Sequence, residues 1–134
     1  MFTMLLPVFL FACSAPQPPT SKPAQPTALA DRVDVQVDEV AANPSAVVVD
    51  VRSRDDYRRG HIPGALTMPK NELDPRAVAL QTVARDKPVY IVGTADDDAR
   101  DAAKAFAAAG FMARNLVGGM AVWTARGLPV ETSP

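Results

Sequence analysis

The sequence is poor in cysteine and in net charge, and each shortage excludes a class of protein. Cys13 is the only cysteine, so the chain forms no intrachain disulfide and builds no cysteine-based zinc site. The 14 Lys and Arg residues face 15 Asp and Glu residues, and the net charge of -1 lacks the basic excess of a nucleic-acid-binding protein. At 134 residues the chain is long enough for one domain and too short for two ordinary ones. We therefore expect one domain held together by packing, with no nucleic-acid partner, and we assign no cofactor and no metal-binding residue.

The amino terminus has the pattern of an export signal. Residues 2–12 are apolar apart from Thr3, but this run is far shorter than the roughly 20 residues of a membrane-spanning helix. Residues 1–12 are therefore interpreted as a signal peptide. Leu10-Phe11-Ala12-Cys13 resembles a bacterial lipobox, in which the cysteine becomes the lipidated first residue of the mature protein. The alternative is that Cys13 is an ordinary apolar residue of a signal that is removed later, for example at Ala15.

Residues 13–30 predict a tether that starts at the lipidation site. Between Cys13 and Ala28 lie five prolines among Ser, Gln, Thr and Lys, a composition that buries too little apolar surface to fold. A lipid on Cys13 would hold the folded part, residues 31–134, away from a membrane. Ser14 differs from the aspartate that retains lipoproteins at the inner membrane. We therefore expect an exported, membrane-anchored lipoprotein that is periplasmic or associated with the outer membrane.

The rest of the sequence alternates short strands with helices, which predicts an α/β fold with a parallel sheet and right-handed crossovers. The predicted strands cover residues 32–37, 46–49, 65–68, 89–92 and 112–116. Asp38 is expected to cap the first helix, and Ser53 a second one that runs to Arg58 or Arg59. Two interrupted helical turns follow over residues 71–84. The pattern is clearest over residues 96–109, where Ala99, Ala102, Ala103 and Phe106 share one helical face and Gly110 follows, and a last helix begins at Gly118-Gly119.

Charged residues follow the strand over residues 46–49. Asp50 and Arg52 lie at its carboxyl end, the edge at which open parallel sheets bind ligands. The alternative is that these side chains only pin the turn. Arg52 and Asp56 are four residues apart, the separation at which side chains meet on one helical face, and this spacing favours pinning.

The segment from Asp50 to Ala65 resembles the signature of the rhodanese-like family. It has Asp-Val-Arg at the strand end, Asp56 before Tyr57 where the family usually has Glu, and Gly-His-Ile-Pro-Gly-Ala over residues 60–65. A second match covers positions within residues 110–130. The resemblance runs over residues 31–131 and implies a three-layer α/β domain, with a parallel sheet of about five short strands and helices on both faces. In this turn His61 is expected to make a structural hydrogen bond.

The same resemblance implies where chemistry takes place in catalytic members of the family. Those members carry a cysteine directly after the strand that corresponds to residues 89–92, and its thiolate accepts a sulfane sulfur and passes it to cyanide or another thiol. In this sequence that position falls on Gly93, which has no nucleophile. The loop continues with Thr94, Ala95, Asp96, Asp97 and Asp98. Asp96 and Asp98 stand where family members commonly have a glycine and an arginine that help to bind an anionic substrate.

The acidic residues of this loop leave two possibilities open. Asp96, Asp97 and Asp98 either stabilise the start of a helix through its dipole, or they bind a cation or a basic partner. Successive helical residues diverge by about 100°, so these three carboxylates cannot share one ion without other ligands. In both cases their charge repels an anion such as thiosulfate.

These observations predict a catalytically inactive rhodanese-like domain of a cell-envelope lipoprotein. It would act as a binding or recognition module, anchored to a membrane through Cys13 and engaging a protein or small-molecule partner that the sequence does not identify. The first alternative is an active sulfurtransferase of the rhodanese family, and the second is a purely structural lipoprotein domain. The absence of a cysteine at Gly93 argues against the sulfurtransferase.

Overall fold

A computed structural model describes residues 33–134. The predicted signal peptide over residues 1–12, the lipidation site Cys13 and the tether over residues 13–30 lie outside the described residues. Within the described part, no helix has both the length and the apolar character needed to cross a membrane.

Five short strands alternate with helices along the described chain. The strands are β1 (Asp34–Val35), β2 (Val47–Asp50), β3 (Leu66–Thr67), β4 (Pro88–Val92) and β5 (Met112–Leu116). The helices are α1 (Val37–Ala41), α2 (Arg54–Arg59), α3 (Val78–Gln81), α4 (Asp96–Ala108) and α5 (Gly119–Ala125), and one 3-10 turn covers Lys70–Glu72. The strands form one parallel sheet in the order β1-β5-β4-β2-β3.

Two apolar cores lie on the two faces of the sheet. Successive strand residues point to opposite faces, so Val89 and Ile91 of β4 enter one core while Tyr90 and Val92 enter the other. Helix α4 and Leu80 of α3 cover the first face. Helices α1 and α5 cover the second. The predicted three-layer arrangement of a parallel sheet between helices is therefore confirmed.

Helix α4 buries the four residues expected from its periodicity. Ala99, Ala102, Ala103 and Phe106 are at most 2 % exposed, and the three alanines let the helix lie close to the sheet. The helix ends at the predicted place, since Gly110 follows with φ +89° and the N–H of Phe111 bonds to the carbonyl of Phe106.

The first strand and first helix differ from the prediction. The strand expected over residues 32–37 contains only β1, and α1 begins at Val37. Asp38 lies inside the first turn and caps nothing, because the N-cap is Gln36, which makes no side-chain bond there. The alternation of Val33, Val35 and Val37 predicted a strand, but Val37 belongs to α1. Val37 and Val40 are three residues apart, and both enter the core from this helix.

Because the sheet is parallel, the loops after β2, β4 and β5 meet at one edge, which we call the carboxyl edge. The loop after β2 leads into α2, whose predicted cap is present: the N–H of Asp56 donates to Ser53 Oγ at 3.1 Å. The loop after β4 leads into α4, and the loop after β5 leads into α5. The carboxyl edge therefore brings together Asp50, Arg52, Gly93 and the aspartates that begin α4.

Candidate functional site

The loop after β4 is short and leads directly into α4. Gly93 follows Val92, the last residue of β4, and α4 begins three residues later at Asp96. Thr94 and Ala95 form the rest of the connection, and Ala95 occupies the N-cap position without a side-chain bond. The position that the family resemblance assigns to a cysteine thus lies at the carboxyl edge.

Gly93 has no room for a side chain. A Cβ atom at this position would lie 2.8 Å from the carbonyl oxygen of Ala95 and 3.0 Å from the backbone nitrogen of Ala99. A Cβ on Gly119 would in turn lie 2.7 Å from the carbonyl oxygen of Gly93. These neighbours are backbone atoms, so a larger residue at Gly93 requires the loop and the start of α4 to move.

The three carboxylates of the loop point to three different partners. Asp96 Oδ1 accepts a hydrogen bond from the backbone N–H of Gly118 at 2.9 Å. Asp97 lies 3.3 Å from Arg100 on its own helix, and Asp98 bonds to Lys70 Nζ at 2.6 Å. The bond to Asp98 raises the pKa of Lys70. Over residues 33–134 no group of His, Cys, Asp and Glu side chains is placed to hold a metal ion.

Asp50 and Arg52 form a buried pair below the carboxyl edge. Arg52 Nε lies 2.9 Å from Asp50 Oδ1, and Arg52 Nη2 lies 2.6 Å from Asp50 Oδ2. The same Nη2 donates to the carbonyl of Gly60 at 2.7 Å. Asp50 is 1 % exposed and Arg52 is 11 % exposed. The guanidinium therefore ties the end of β2 to the end of α2.

The expected side-chain pair between Arg52 and Asp56 is replaced by other bonds. Arg52 precedes α2, so the four-residue helical spacing does not apply to it. Asp56 accepts from Ser53 Oγ at 2.7 Å and pairs with Arg59. The hydrogen bond from Ser53 and then that from Arg59 hold the pKa of Asp56 below its usual value.

His61 is buried in the turn after α2. Its Nδ1 lies 2.9 Å from the backbone carbonyl of Tyr57, and its ring stacks on the Tyr57 ring at 3.8 Å between centroids. The Tyr57 hydroxyl donates to the carbonyl of Ala65 at 2.6 Å. The backbones of His61 and Glu131 exchange two hydrogen bonds, so the carboxyl-terminal segment lies against this turn. His61 is 3 % exposed, and its Nε2 lies 3.8 Å from the Glu131 carboxylate.

Three depressions open at the carboxyl edge, and Arg52 lines all of them. The smallest, about 200 Å³, lies over Gly93, Thr94 and Gly118. A second, about 410 Å³, extends from Thr94 toward Lys70 and Asp98. A third, about 390 Å³, lies between α2 and α5 and reaches Val130. Charged and polar side chains line them beside apolar ones such as Met120 and Val51, and none of the lining residues carries a thiol.

Two contributors to this edge were not singled out from the sequence. Lys70 and Gly118 are far from their partners along the chain, 28 residues from Asp98 and 22 from Asp96. The Gly118-Gly119 doublet was interpreted only as the start of a helix. No local pattern indicates Lys70, because its contact depends on the placement of β3 beside β2.

Comparison with known proteins identifies one family and several relatives of similar sequence. The family profile described as "Rhodanese-like domain" matches residues 34–126. The uncharacterized protein YibN of Escherichia coli K12 is 37 % identical over 86 residues, which cover 63 % of this chain and 60 % of YibN. The HTH-type transcriptional regulator Rv0324 of Mycobacterium tuberculosis is 40 % identical over 84 residues, which cover 37 % of that protein. The chain thus spans less than two thirds of the length of these relatives.

Solved structures agree with the described fold. The rhodanese-like domain of the Alr3790 protein from Anabaena has a TM-score of 0.66 and 30 % identity, covering 76 % of this chain and 80 % of that one. The BH2092 protein of Bacillus halodurans, with a TM-score of 0.65, 24 % identity and coverage of 74 % of this chain and 76 % of its own, shares the fold. Sequence signature, topology and structural likeness therefore agree.

Proposed function

We propose that this chain, which belongs to the rhodanese-like domain family, does not transfer sulfur and acts as a binding or recognition module of an exported lipoprotein. The proposal has a chemical part, which concerns the loop after β4, and a cellular part, which rests on the sequence around Cys13. The two parts are tested separately.

The environment of Gly93 carries the chemical part. Sulfur transfer through a covalent intermediate needs a thiolate that accepts the sulfur. The residues around the depression over Gly93 supply a guanidinium, a carboxylate and the Thr94 hydroxyl, but no thiol. Backbone atoms of Ala95 and Ala99 fill the space that a side chain at Gly93 would use. The loop therefore lacks both the nucleophile and the room for one.

The charges of the loop give further support. An anionic sulfur donor needs unpaired N–H groups or cations at its binding site. Here the Asp96 carboxylate occupies the N–H of Gly118, and Lys70 is paired with Asp98. Asp97 adds an exposed negative charge at the start of α4. Thiosulfate would meet repulsion where a catalytic site must attract it.

The depressions at the carboxyl edge support a binding role. They join Arg52, Thr94, Lys70 and Asp98 along one surface, which offers a partner the Thr94 hydroxyl and the half-exposed Lys70–Asp98 ion pair. A domain that retains these depressions, but has backbone atoms where a catalytic side chain at residue 93 would lie, is suited to recognition without turnover. In the proposed arrangement, a lipid on Cys13 would hold this surface near a membrane.

Mass spectrometry of the full chain after incubation with thiosulfate tests the chemical part. We expect no added sulfur on any residue. Because Cys13 is the only thiol, Cys13→Ser is the control that identifies adventitious modification of that residue. A persulfide that forms on Cys13 and is then consumed by cyanide would support the alternative, an active sulfurtransferase.

The cellular part is tested by metabolic labelling with a fatty acid. We expect label on the wild-type chain and none on Cys13→Ser, with the labelled protein in the membrane fraction. Label that persists in Cys13→Ser, or its absence from both proteins, would contradict lipidation at Cys13. Neither result bears on the chemistry of Gly93.

A further inference from the structure

A separate apolar groove lies at the opposite edge of the sheet, where the strands begin. Its volume is about 270 Å³, and it lies between the end of α1, the segment before β2 and the carboxyl-terminal segment. Its lining includes Val40, Ala41, Ala46, Trp123 and Pro129. Among the described residues that line it, Asn43 is the only polar one and none is charged. The groove is therefore suited to an uncharged, apolar occupant.

We propose that this groove binds the chain's own segment around Leu29, which precedes the described residues. Leu29 is the only large apolar residue between Cys13 and Val33. Residues 23–30 carry no charge, matching the uncharged lining, and Pro23 and Pro26 favour an extended backbone. A single aliphatic side chain on an extended segment is the kind of anchor that an apolar groove of this size accepts.

The connection between Leu29 and the fold has the required reach. The described chain begins at Val33, next to β1, at the same edge as the groove. Three strand spacings separate β1 from β2, whose residue Val48 lines the groove, a distance of about 14 Å. Leu29 is four residues before Val33, and four extended residues span about 13–14 Å. Docking thus requires residues 29–33 to run extended across the edge of the sheet at which the strands begin.

Docking would also fix which way the domain faces. The groove and the carboxyl edge lie at opposite ends of the strands. A segment held in the groove leads back along the chain toward Cys13, so the three depressions would face away from that end. Docking depends only on the lining of the groove and on the sequence of residues 23–30. It requires neither catalysis nor lipidation.

Disulfide trapping in the full chain tests the contact directly. Starting from Cys13→Ser, which removes the native thiol, Leu29→Cys is combined with Ala41→Cys, an exposed groove residue. The matched control combines Leu29→Cys with Ala121→Cys, which is also exposed but lies at the carboxyl edge. After addition of a mild oxidant, we expect intrachain crosslinking of the groove pair in most chains and of the control pair in few. Equal yields, or crosslinks only between chains, would overturn the proposal.

Fluorescence provides a second test that needs no crosslink. Trp123 is the only tryptophan and lines the groove. Because Trp123 is 4 % exposed, its emission reports unfolding of the domain. We expect Leu29→Ser to lower the urea midpoint of that emission change, while Ala30→Ser leaves the midpoint unchanged. Identical midpoints for the two variants would contradict docking, since neither substitution lies in the described fold.

Discussion

The Asp96 carboxylate accepts a hydrogen bond from the backbone N–H of Gly118 at 2.9 Å, joining the start of α4 to the start of α5. Gly118 lines the depression over Gly93, so this contact holds one part of its wall in place. It shows how the acidic loop is used: one carboxylate bridges two loops of the carboxyl edge, while its two neighbours bond elsewhere.

Asp96→Ala is expected to lower the free energy of unfolding by about 1–2 kcal/mol, because a charge-assisted bond to Gly118 is lost. Asp97→Ala is the matched control in the same helical turn. Its side chain is 94 % exposed and its partner is a neighbour on the same helix, so little change is expected. Urea unfolding of both variants measures the difference, and equal losses would mean that the Gly118 contact contributes nothing specific.

Gly93→Ala is expected to destabilise the fold by about 1–3 kcal/mol, because the new methyl group meets backbone atoms of Ala95 and Ala99. Gly60→Ala is a control of similar crowding, with Val130 Cγ1 at 2.9 Å from the new Cβ. That neighbour is the end of an exposed side chain, which can turn aside at small cost. Thermal unfolding should give Gly93→Ala a clearly lower melting temperature than Gly60→Ala. The reverse order would contradict the packing described at Gly93.

Arg52→Ala is expected to cost about 3–5 kcal/mol of unfolding free energy, since the buried Asp50 carboxylate loses its guanidinium partner and keeps the backbone N–H of residue 52. Arg59→Ala removes a guanidinium that is 75 % exposed, and only a small effect is expected. Chemical denaturation of the two variants measures both changes. A small effect of Arg52→Ala would show that Asp50 is stabilised by other groups.

Asp34 gives the fold a pH dependence of known sign. Hydrogen bonds from Arg100 and then from Asn115 hold the pKa of Asp34 below its usual value. A carboxyl group with a depressed pKa in the folded state contributes stability above its unfolded pKa of about 3.9, and that contribution is lost as the pH falls through the folded value. Asp34→Asn should therefore be less stable than wild type at pH 7.

The size of this effect is expected to be small, because Asp34 is 43 % exposed and solvent screens its charge. The measurement compares urea midpoints of wild type and Asp34→Asn at pH 7 and below pH 3. The difference between the two urea midpoints should be smaller at the lower pH. A difference that stays constant would mean that packing, and not the ionised carboxylate, provides the stability.

Local patterns were sufficient to predict most of the fold. The buried face of α4 follows from the spacing of Ala99, Ala102, Ala103 and Phe106, and the order of strands and helices follows from short apolar runs separated by turns. The boundary between β1 and α1 was missed because Val37 fits both a strand pattern and a helical face. Whether Val37 belongs to the strand or to the helix depends on its packing in the core, which a local pattern does not specify.

The site was predictable by position but only partly by contact. The sequence placed Gly93 and the aspartates after β4, and it placed Asp50 and Arg52 at the carboxyl end of β2. The partners of Asp96 and Asp98 depend on topology, because Gly118 and Lys70 reach the edge from distant parts of the chain. The crowding at Gly93 also depends on how closely α4 approaches the loop.

Thiosulfate-to-cyanide sulfur transfer by the native chain, measured beside Cys13→Ser and Gly93→Cys, tests most directly whether this domain transfers sulfur. We expect no turnover above the protein-free rate for the native chain and for Cys13→Ser. We also expect none for Gly93→Cys, because a thiol alone restores neither the space at Gly93 nor an anion site free of the Asp96 carboxylate. Turnover by the native chain, whether or not it persists in Cys13→Ser, would contradict the proposed inactivity.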